Sequence, residues 1–324
     1  MRKADSGHRK RGGMLIAIIT VAVIGVGAYI LFARLSGTSL SSVADSGGRQ
    51  VEASTDGQES APGANPSSCA PSGVCAPRGD LPGWKQLFVS DFPGAVPVGA
   101  FSDCNNNINT PQAACNGLRR YADYYANWWA YPSGWPDTAK SGADGNGGAP
   151  FGGVYRPELT VSVGAGAMHI RMFRPRAGGE NAVATVVPRK CMDRQYGRYS
   201  ERFRVVHGDP GFKSAHLFYQ GGYEIDYPEN DYGATIAAYV HPGQATFATR
   251  AKWSDWHTTA IEWKSGAVKF YLDGALIGTA TDKVPNIKMS WILQNESSII
   301  GPYAAPGASA QLDIAWVSCY APAA

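Results

Sequence analysis

The sequence predicts an all-β domain of the sandwich or barrel kind. Beyond residue 84, apolar and polar side chains alternate in many short runs, the period of half-buried strands, and turn residues separate the runs. No long segment of helical period follows the first 33 residues, so helices are not the framework. The composition agrees. With 39 Gly, 16 Tyr, 9 Trp and only 17% charged residues, it suits a loop-rich β protein and excludes a coiled coil or bulk disorder.

Three segments precede that domain. Residues 1–13 carry Arg2, Lys3, Arg9, Lys10 and Arg11 against one acid, Asp5. They hold five of the 29 basic and one of the 26 acidic residues, which leaves 24 against 25 for the remainder; the net charge of +3 therefore belongs to the tail. The body has no basic stripe, so no nucleic-acid partner is expected. Residues 14–33 are uncharged and mostly apolar. That matches the roughly 20 residues of a membrane-spanning helix and exceeds the roughly 7–15 apolar residues of a cleaved secretory signal. They are read as a signal anchor, with the basic tail cytoplasmic and the rest outside the cell membrane. The alternative is cleavage at the small-x-small run Ser42-Val43-Ala44, which would release the body as a secreted protein. Residues 34–67, rich in Ser, Gly, Ala and Pro and nearly free of large apolar groups, read as a flexible linker. The remaining 68–324 form the domain proper, and a tethered single domain is expected to be a monomer.

Six cysteines in an extracellular body imply disulfides. Six allow 15 pairings; the expected one is Cys69–Cys75, Cys104–Cys115 and Cys191–Cys319, two local loops and one tie between a middle strand and the last. Their spacing does not resemble a zinc site.

Individual strands can be read. Met168, Ile170 and Met172 alternate with His169 and Arg171, and Tyr199, Glu201, Phe203 and Val205 alternate with Arg198, Ser200, Arg202 and Arg204. Val268–Leu272 and Ala275–Ile277 flank Asp273-Gly274, a strong hairpin signal. Ile287–Leu293 and Leu312–Val317 read as further strands.

The most informative stretch is Gly221-Gly-Tyr-Glu-Ile-Asp-Tyr-Pro-Glu-Asn230, with three acids in six residues of a weakly charged body. On a strand Glu224 and Asp226 share a face. Glu229, five residues on from Glu224, joins them only if one β-bulge intervenes, and Pro228, which lacks an amide hydrogen, fits irregular pairing there. Three carboxyls on one face suit retaining glycoside hydrolysis, which needs a nucleophile and a proton donor about 5–5.5 Å apart. A third acid between them disfavours ionisation of the donor. An acidic surface strand or a calcium site is the other reading of the same string.

Tyr124, Tyr125, Trp128, Trp129, Tyr131 and Trp135 crowd one segment. Sugars present CH faces to flat rings, and Trp128 and Trp135 are the candidates for substrate binding. His216 precedes the acid strand on its expected hairpin partner and is a further candidate. Asn295-Glu-Ser297 fits the glycosylation acceptor pattern.

The order of these segments resembles glycoside hydrolase family 16, the laminarinase-like β-glucanases, over roughly residues 84–320. Tyr155-Arg-Pro-Glu158 with Leu159–Val163 and Met168–Ile170 looks like the family's opening strands. Tyr196-Gly-Arg-Tyr-Ser-Glu-Arg-Phe203 and the block from Asp255-Trp-His257 through Ile261-Glu-Trp263 to Val268–Gly274 resemble later ones. The resemblance implies a two-sheet antiparallel β-sandwich, a jelly roll. It implies Glu224 as nucleophile, Asp226 as the assisting acid and Glu229 as acid/base. The substrate would be a polysaccharide, β-1,3- or β-1,3/1,4-glucan, cut within the chain, with no cofactor required. Tyr227-Pro228 departs from the two apolar residues many members carry. Family members often hold a structural calcium on an Asp of the final strand, a place Asp313 matches. A transglycosylase on the same fold and a non-catalytic lectin-like module are the alternatives.

Overall fold

The computed structural model describes residues 69–108, 110–142, 150–242 and 245–323. The basic tail, the apolar run 14–33 and the linker lie outside them. Among the described residues no helix is long and apolar enough to cross a membrane.

The strands, in chain order, are β1 (Trp84–Ser90), β2 (Trp128–Ala130), β3 (Gly153–Tyr155), β4 (Val161–Gly164), β5 (Ala167–Phe173), β6 (Asn181–Pro188), β7 (Gly197–Gly208), β8 (Phe212–Gln220), β9 (Tyr223–Asp231), β10 (Thr235–His241), β11 (Ala245–Lys252), β12 (His257–Lys264), β13 (Ala267–Leu272), β14 (Ala275–Ala280), β15 (Ser290–Ser297) and β16 (Ser309–Pro322). Among the described residues three short α-helices, α1 (Ala122–Asn127), α2 (Thr138–Ser141) and α3 (Pro157–Thr160), and two 3-10 turns, Asn116–Arg120 and Arg189–Cys191, interrupt them.

The strands make two layers. One runs β11-β10-β9-β8-β15-β6, the other β5-β16-β7-β12-β13-β14, and the single pair Phe173–Ala182 between β5 and β6 joins them. Nearly all pairing is antiparallel; β3 against β6 is parallel. Aromatic rings fill the space between the layers: Tyr199 of β7 meets Phe218 of β8 at 4.5 Å, Phe218 meets Trp263 of β12 at 5.7 Å, and Tyr227 of β9 meets Phe270 of β13 at 5.5 Å. Such edge-to-face ring pairs add packing energy beyond the area they bury. This is the expected sandwich.

The alternation read from the sequence holds on β5 and β7, whose Met168, Ile170, Met172, Tyr199, Phe203 and Val205 are buried. Asp273-Gly274 turns β13 into β14 with both residues at positive φ, +50° and +85°, the conformation that favours Asp-Gly in two-residue hairpins. Two boundaries move. β15 starts and ends later than Ile287–Leu293, and β16 extends well beyond Leu312–Val317. Pro157–Thr160 is one helical turn, with Pro at its start where its missing N–H costs nothing.

All three expected disulfides form. Cys191–Cys319 closes a separation of 128 residues, with both sulfurs fully buried. Loop-closure entropy gives such a bridge roughly 5 kcal/mol at most. Replacing Cys191 and Cys319 by Ser should lower the Tm by about 10 °C, read by calorimetry with the two short bridges intact.

Candidate active site

The site is built on one hairpin. Strands β8 and β9 are joined by Gly221-Gly222, at φ +59° and +85°, and Gln220 pairs with Tyr223 across the turn. That two-residue turn sets the register: Tyr219 stands opposite Glu224 and Leu217 opposite Asp226. The next pair is Ala215 with Glu229, so two residues of β8 span three of β9. The neighbouring β10 repeats the offset, Tyr239 with Asp226 and Ala237 with Glu229. The additional β9 residue is the bulge anticipated around Pro228. It returns Glu229 to the face of Glu224 and Asp226, while Ile225 and Tyr227 point into the core. The three acids thus share the outer face of the β11–β6 layer.

This face is polar but largely covered. Asp226 is 2% exposed. Burial raises its pKa well above the ordinary carboxyl value, and the charges of Glu224 and Glu229 add to the shift. Burial, then Glu229, pushes Glu224 up to about 7, while a hydrogen bond from Asp226 works the other way. Both carboxyls of the pair thus hold their protons more tightly than free acids do. Two adjacent carboxyls in a site of low polarity cannot both ionise freely.

Lys213 of β8 supplies the positive charge. Its Nζ donates to Glu229 Oε1 at 2.7 Å. Burial disfavours its ammonium, but Glu229, with Glu296 and Asp231 behind it, more than offsets that and holds the lysine charged. Lys213 stands opposite Glu296 of β15, a fourth carboxyl on the same face. Glu296 is 1% exposed. Its Oε1 accepts from Thr138 N at 3.2 Å, from Thr138 Oγ1 at 3.1 Å and from the Tyr155 hydroxyl. Burial and then Asp137 push it up to about 7. Asp137 itself caps α2, accepting from Lys140 N at 2.8 Å, and so orients the Thr138 donors. His241 of β10 stands opposite Glu224, and its Nε2 lies 3.6 Å from Asp226 Oδ2, just outside hydrogen-bond reach. Burial lowers its pKa, so it is neutral near pH 7.

Three sequence-derived candidates fall elsewhere. Trp128 is 1% exposed and packs on Phe88 and Phe92 at 6.0 and 5.4 Å between the layers, so it does not meet substrate. β2 alternates, and its outward ring is Trp129, opposite Val187; even that is covered, its Nε1 donating to Asn105 O at 2.9 Å. His216 is also corrected. The even positions of β8 face the core, so His216 is 0% exposed, with Nδ1 2.8 and 2.9 Å from the Glu201 carboxylate oxygens. Asn295 is fully buried beside it and accepts from Ser214 Oγ at 2.7 Å; the folded chain therefore cannot be glycosylated there. Trp135 stays half-buried, against Tyr131 at 5.7 Å.

Asp313 of β16 lies in the other layer, its Oδ1 2.7 Å from His169 Nδ1 and accepting from Gln311 Nε2 at 2.9 Å. Among the described residues, the group of potential metal-ligating side chains is Glu224, Asp226 and His241, with one ligand atom each within 4.8 Å of one another.

The fold has counterparts among solved structures. The endo-β-1,3(4)-glucanase SCLam, from family 16, superposes at a TM-score of 0.53 with 16% identity, over 76% of this chain and 94% of its own. A putative β-glucanase from Mycobacterium abscessus gives 0.53 at 17% identity, over 72% and 99%. A glycoside hydrolase family protein from Mycobacterium thermorestibile gives 0.52 at 19%, over 72% and 99%. The chain has the family 16 jelly-roll fold. No protein-family profile and no curated protein sequence matches it. Within the family 16 fold, the trio occupies a middle strand of one sheet, with paired strands on both sides.

Sequence reading missed Lys213, Glu296 and His241. Lys213 was legible as the lone charge in Phe212–Gln220 at the spacing of Ala215 and Leu217. Glu296 fell outside because strand β15 was ended at Leu293.

Two outcomes are expected. The folded state holds the Glu224 proton more tightly than the unfolded chain, so this group costs stability as pH rises from about 4.5 to 7. Glu224→Gln should therefore raise the Tm by a few degrees at pH 8 and leave it unchanged near pH 4, by calorimetry. Lys213→Met removes one partner of a buried pair and should cost about 3–5 kcal/mol. In urea unfolding, Lys213→Met with Glu229→Gln should recover most of that loss.

Proposed function

We propose that this protein is a retaining endo-glycosidase that hydrolyses β-1,3- or mixed β-1,3/1,4-glucan through a covalent glycosyl-enzyme. The observation that carries the reading is the placement of Glu224, Asp226 and Glu229 on one outer face by a single bulge in β9. The fold shared with SCLam, an endo-β-1,3(4)-glucanase, supports it.

In this reading the Glu224 carboxylate attacks the anomeric carbon and forms a C–O bond. The glycosidic oxygen takes the proton of Glu229 and departs with the bonding pair. Water then gives a proton to Glu229 and attacks the same carbon, and Glu224 leaves as carboxylate. Asp226 donates its hydrogen bond to Glu224 and disperses the charge as the ester bond breaks. In the free protein Glu229 is ion-paired to Lys213; the reading requires that pair to open and Glu229 to take up a proton from solvent when substrate binds, and Lys213 to pair with the carboxylate again once the proton has gone. No cofactor enters these steps. Around the trio the acids, Glu224, Asp226, Glu229 and Glu296, outnumber the adjoining cation Lys213, which favours a neutral glycan over a sulfated or carboxylated one.

The three disulfides support a body outside the cytoplasm. The reading adds a monomer tethered by residues 14–33 at the cell membrane, or released by cleavage.

The test uses the purified protein with laminarin, lichenan, barley β-glucan, agarose and cellulose, scoring reducing ends. Laminarin or the mixed-linkage glucans should be cut, and Glu224→Gln and Glu229→Gln should each lose at least about 1,000-fold, the scale of losing a group that acts only in the transition state. Undiminished hydrolysis by Glu224→Gln would overturn the assignment.

A further inference from the structure

Away from the acid trio, a cavity of opposite charge opens between the end of β6, the approach to β15 and the end of α1. It holds about 360 Å³; small-molecule sites begin at roughly 300 Å³. Arg189, Lys190, Arg194 and Lys288 line it, with Asp193 as its one acid. Beyond residue 13 the chain carries 24 basic and 25 acidic residues. Four of those cations and one of those acids gather here, so the cavity is net +3 and the rest of that body is net −4. Gathering like charges works against the compact state through their repulsion.

The protein itself relieves little of it. Among the described residues the ion pair at the cavity is Lys288 with Asp193, at 3.3 Å and between exposed groups. Arg189, Lys190 and Arg194 meet no carboxylate there. Arg189 instead turns its terminal nitrogens to main-chain carbonyls, donating to Tyr125 O at 3.0 Å, to Ala126 O at 3.1 Å and to Pro111 O. These carbonyls, two of them in the last turn of α1, orient the guanidinium and leave its charge in place. Its Nε is buried and has no hydrogen-bond partner among the described residues. A buried donor left unsatisfied is costly, and the oxygen of an anion would accept from it. The walls are fixed. Cys191 is bridged to Cys319, Arg194 and Met289 exchange main-chain hydrogen bonds at 2.8 and 2.9 Å, and Asp193 N donates to Ser290 Oγ at 3.0 Å. A preformed site loses little ordering entropy when a ligand enters.

Guanidinium forks and lysine ammoniums together suit phosphate, whose several oxygens and charge match several donors. Three cations without an acid partner exceed what one carboxylate would neutralise. We propose that this cavity is a second binding site, separate from the acid trio, for a phosphate ester of a polyol or saccharide. The site does not depend on the glycosidase reading. Beside that reading, it would hold the protein to a phosphate-bearing molecule while the acid face works on a neutral glycan.

The experiment is calorimetric titration of the full chain with glycerol 3-phosphate, with a soluble poly(glycerol phosphate) and, as the neutral control, with glycerol, at low and at physiological ionic strength. Lys190→Ala with Arg194→Ala is set against Arg171→Ala with Lys269→Ala, two exposed cations of β5 and β13 whose loss changes the net charge equally. Both are checked for an unchanged Tm, and the single Lys288→Ala decides the matter if the first pair fails to fold. The parent should bind the phosphate esters and not glycerol. Lys190→Ala with Arg194→Ala should lower that affinity about 10-fold or more, the scale of losing hydrogen bonds to a charged group, and Lys288→Ala should lower it by a smaller factor. The β5 and β13 pair should change it less than about 2-fold at physiological ionic strength, where charges farther apart than about 8 Å are largely screened. Tighter binding of the polymer would identify a phosphodiester chain as the ligand, and equal binding a small ester. No binding of either phosphate ester by the parent, or an equal loss in both double variants, would overturn the site.

Discussion

Strand β9 has to satisfy two environments at once. Its inward residues, Ile225 and Tyr227, fill the space between the layers, where Tyr227 meets Phe270. Its outward residues carry the acids. A regular strand would send Glu229 inward with that core, where a carboxylate without a partner is untenable. One additional residue between Asp226 and Glu229 resolves the conflict, and both flanking strands accommodate it, β8 at Ala215 to Leu217 and β10 at Ala237 to Tyr239. The hairpin turn at Gly221-Gly222 fixes the register from the other side. Slipping either by one residue would exchange the core and acid faces of the strand.

Gathering carboxyls on a covered face has an electrostatic cost, and the neighbouring residues limit it. Asp226 and Glu224 hold their protons more tightly than free acids do; Lys213 neutralises Glu229; Glu296 is held by Tyr155 and Thr138. The arrangement sets Asp226 beside Glu224 and the Lys213 cation beside Glu229. The interior carries a separate polar pair, Glu201 with His216, tied through Asn295 to Ser214. It lies on the opposite side of β8 from Lys213, so it steadies the hairpin from within and takes no part in the acid face.

Much of this was readable from the chain. The Asp-Gly hairpin, the alternation of β5 and β7 and the need for a bulge before Glu229 all follow from local rules, whereas the Cys191–Cys319 pairing, across 128 residues, was one expectation among 15. The misses share a cause, which is parity. β2 is three residues long, too short for its alternation to show that Trp128 faces inward and Trp129 outward. His216 sits one position from Ala215 and Leu217, and without the register its side was open. β15 continues through Asn295, Glu296 and Ser297, where composition suggested an exposed acceptor site; pairing with β8 buries them instead. The partners of the acids come from β3, β8, β10, β15 and α2, and no sequence spacing joins those elements.

The account stands on Glu224 as the group that forms the bond to the sugar. Mass spectrometry of the protein treated with a 2-deoxy-2-fluoro gluco-oligosaccharide bearing a dinitrophenolate leaving group tests this directly, because the fluorine slows both formation and hydrolysis of the glycosyl-enzyme while the good leaving group restores its formation, so the intermediate accumulates. The predicted result is a mass gain of one fluoro-oligosaccharyl group, located by peptide fragmentation on Glu224. An adduct on any other residue, or steady release of dinitrophenolate with no adduct and with inverted product, would contradict it.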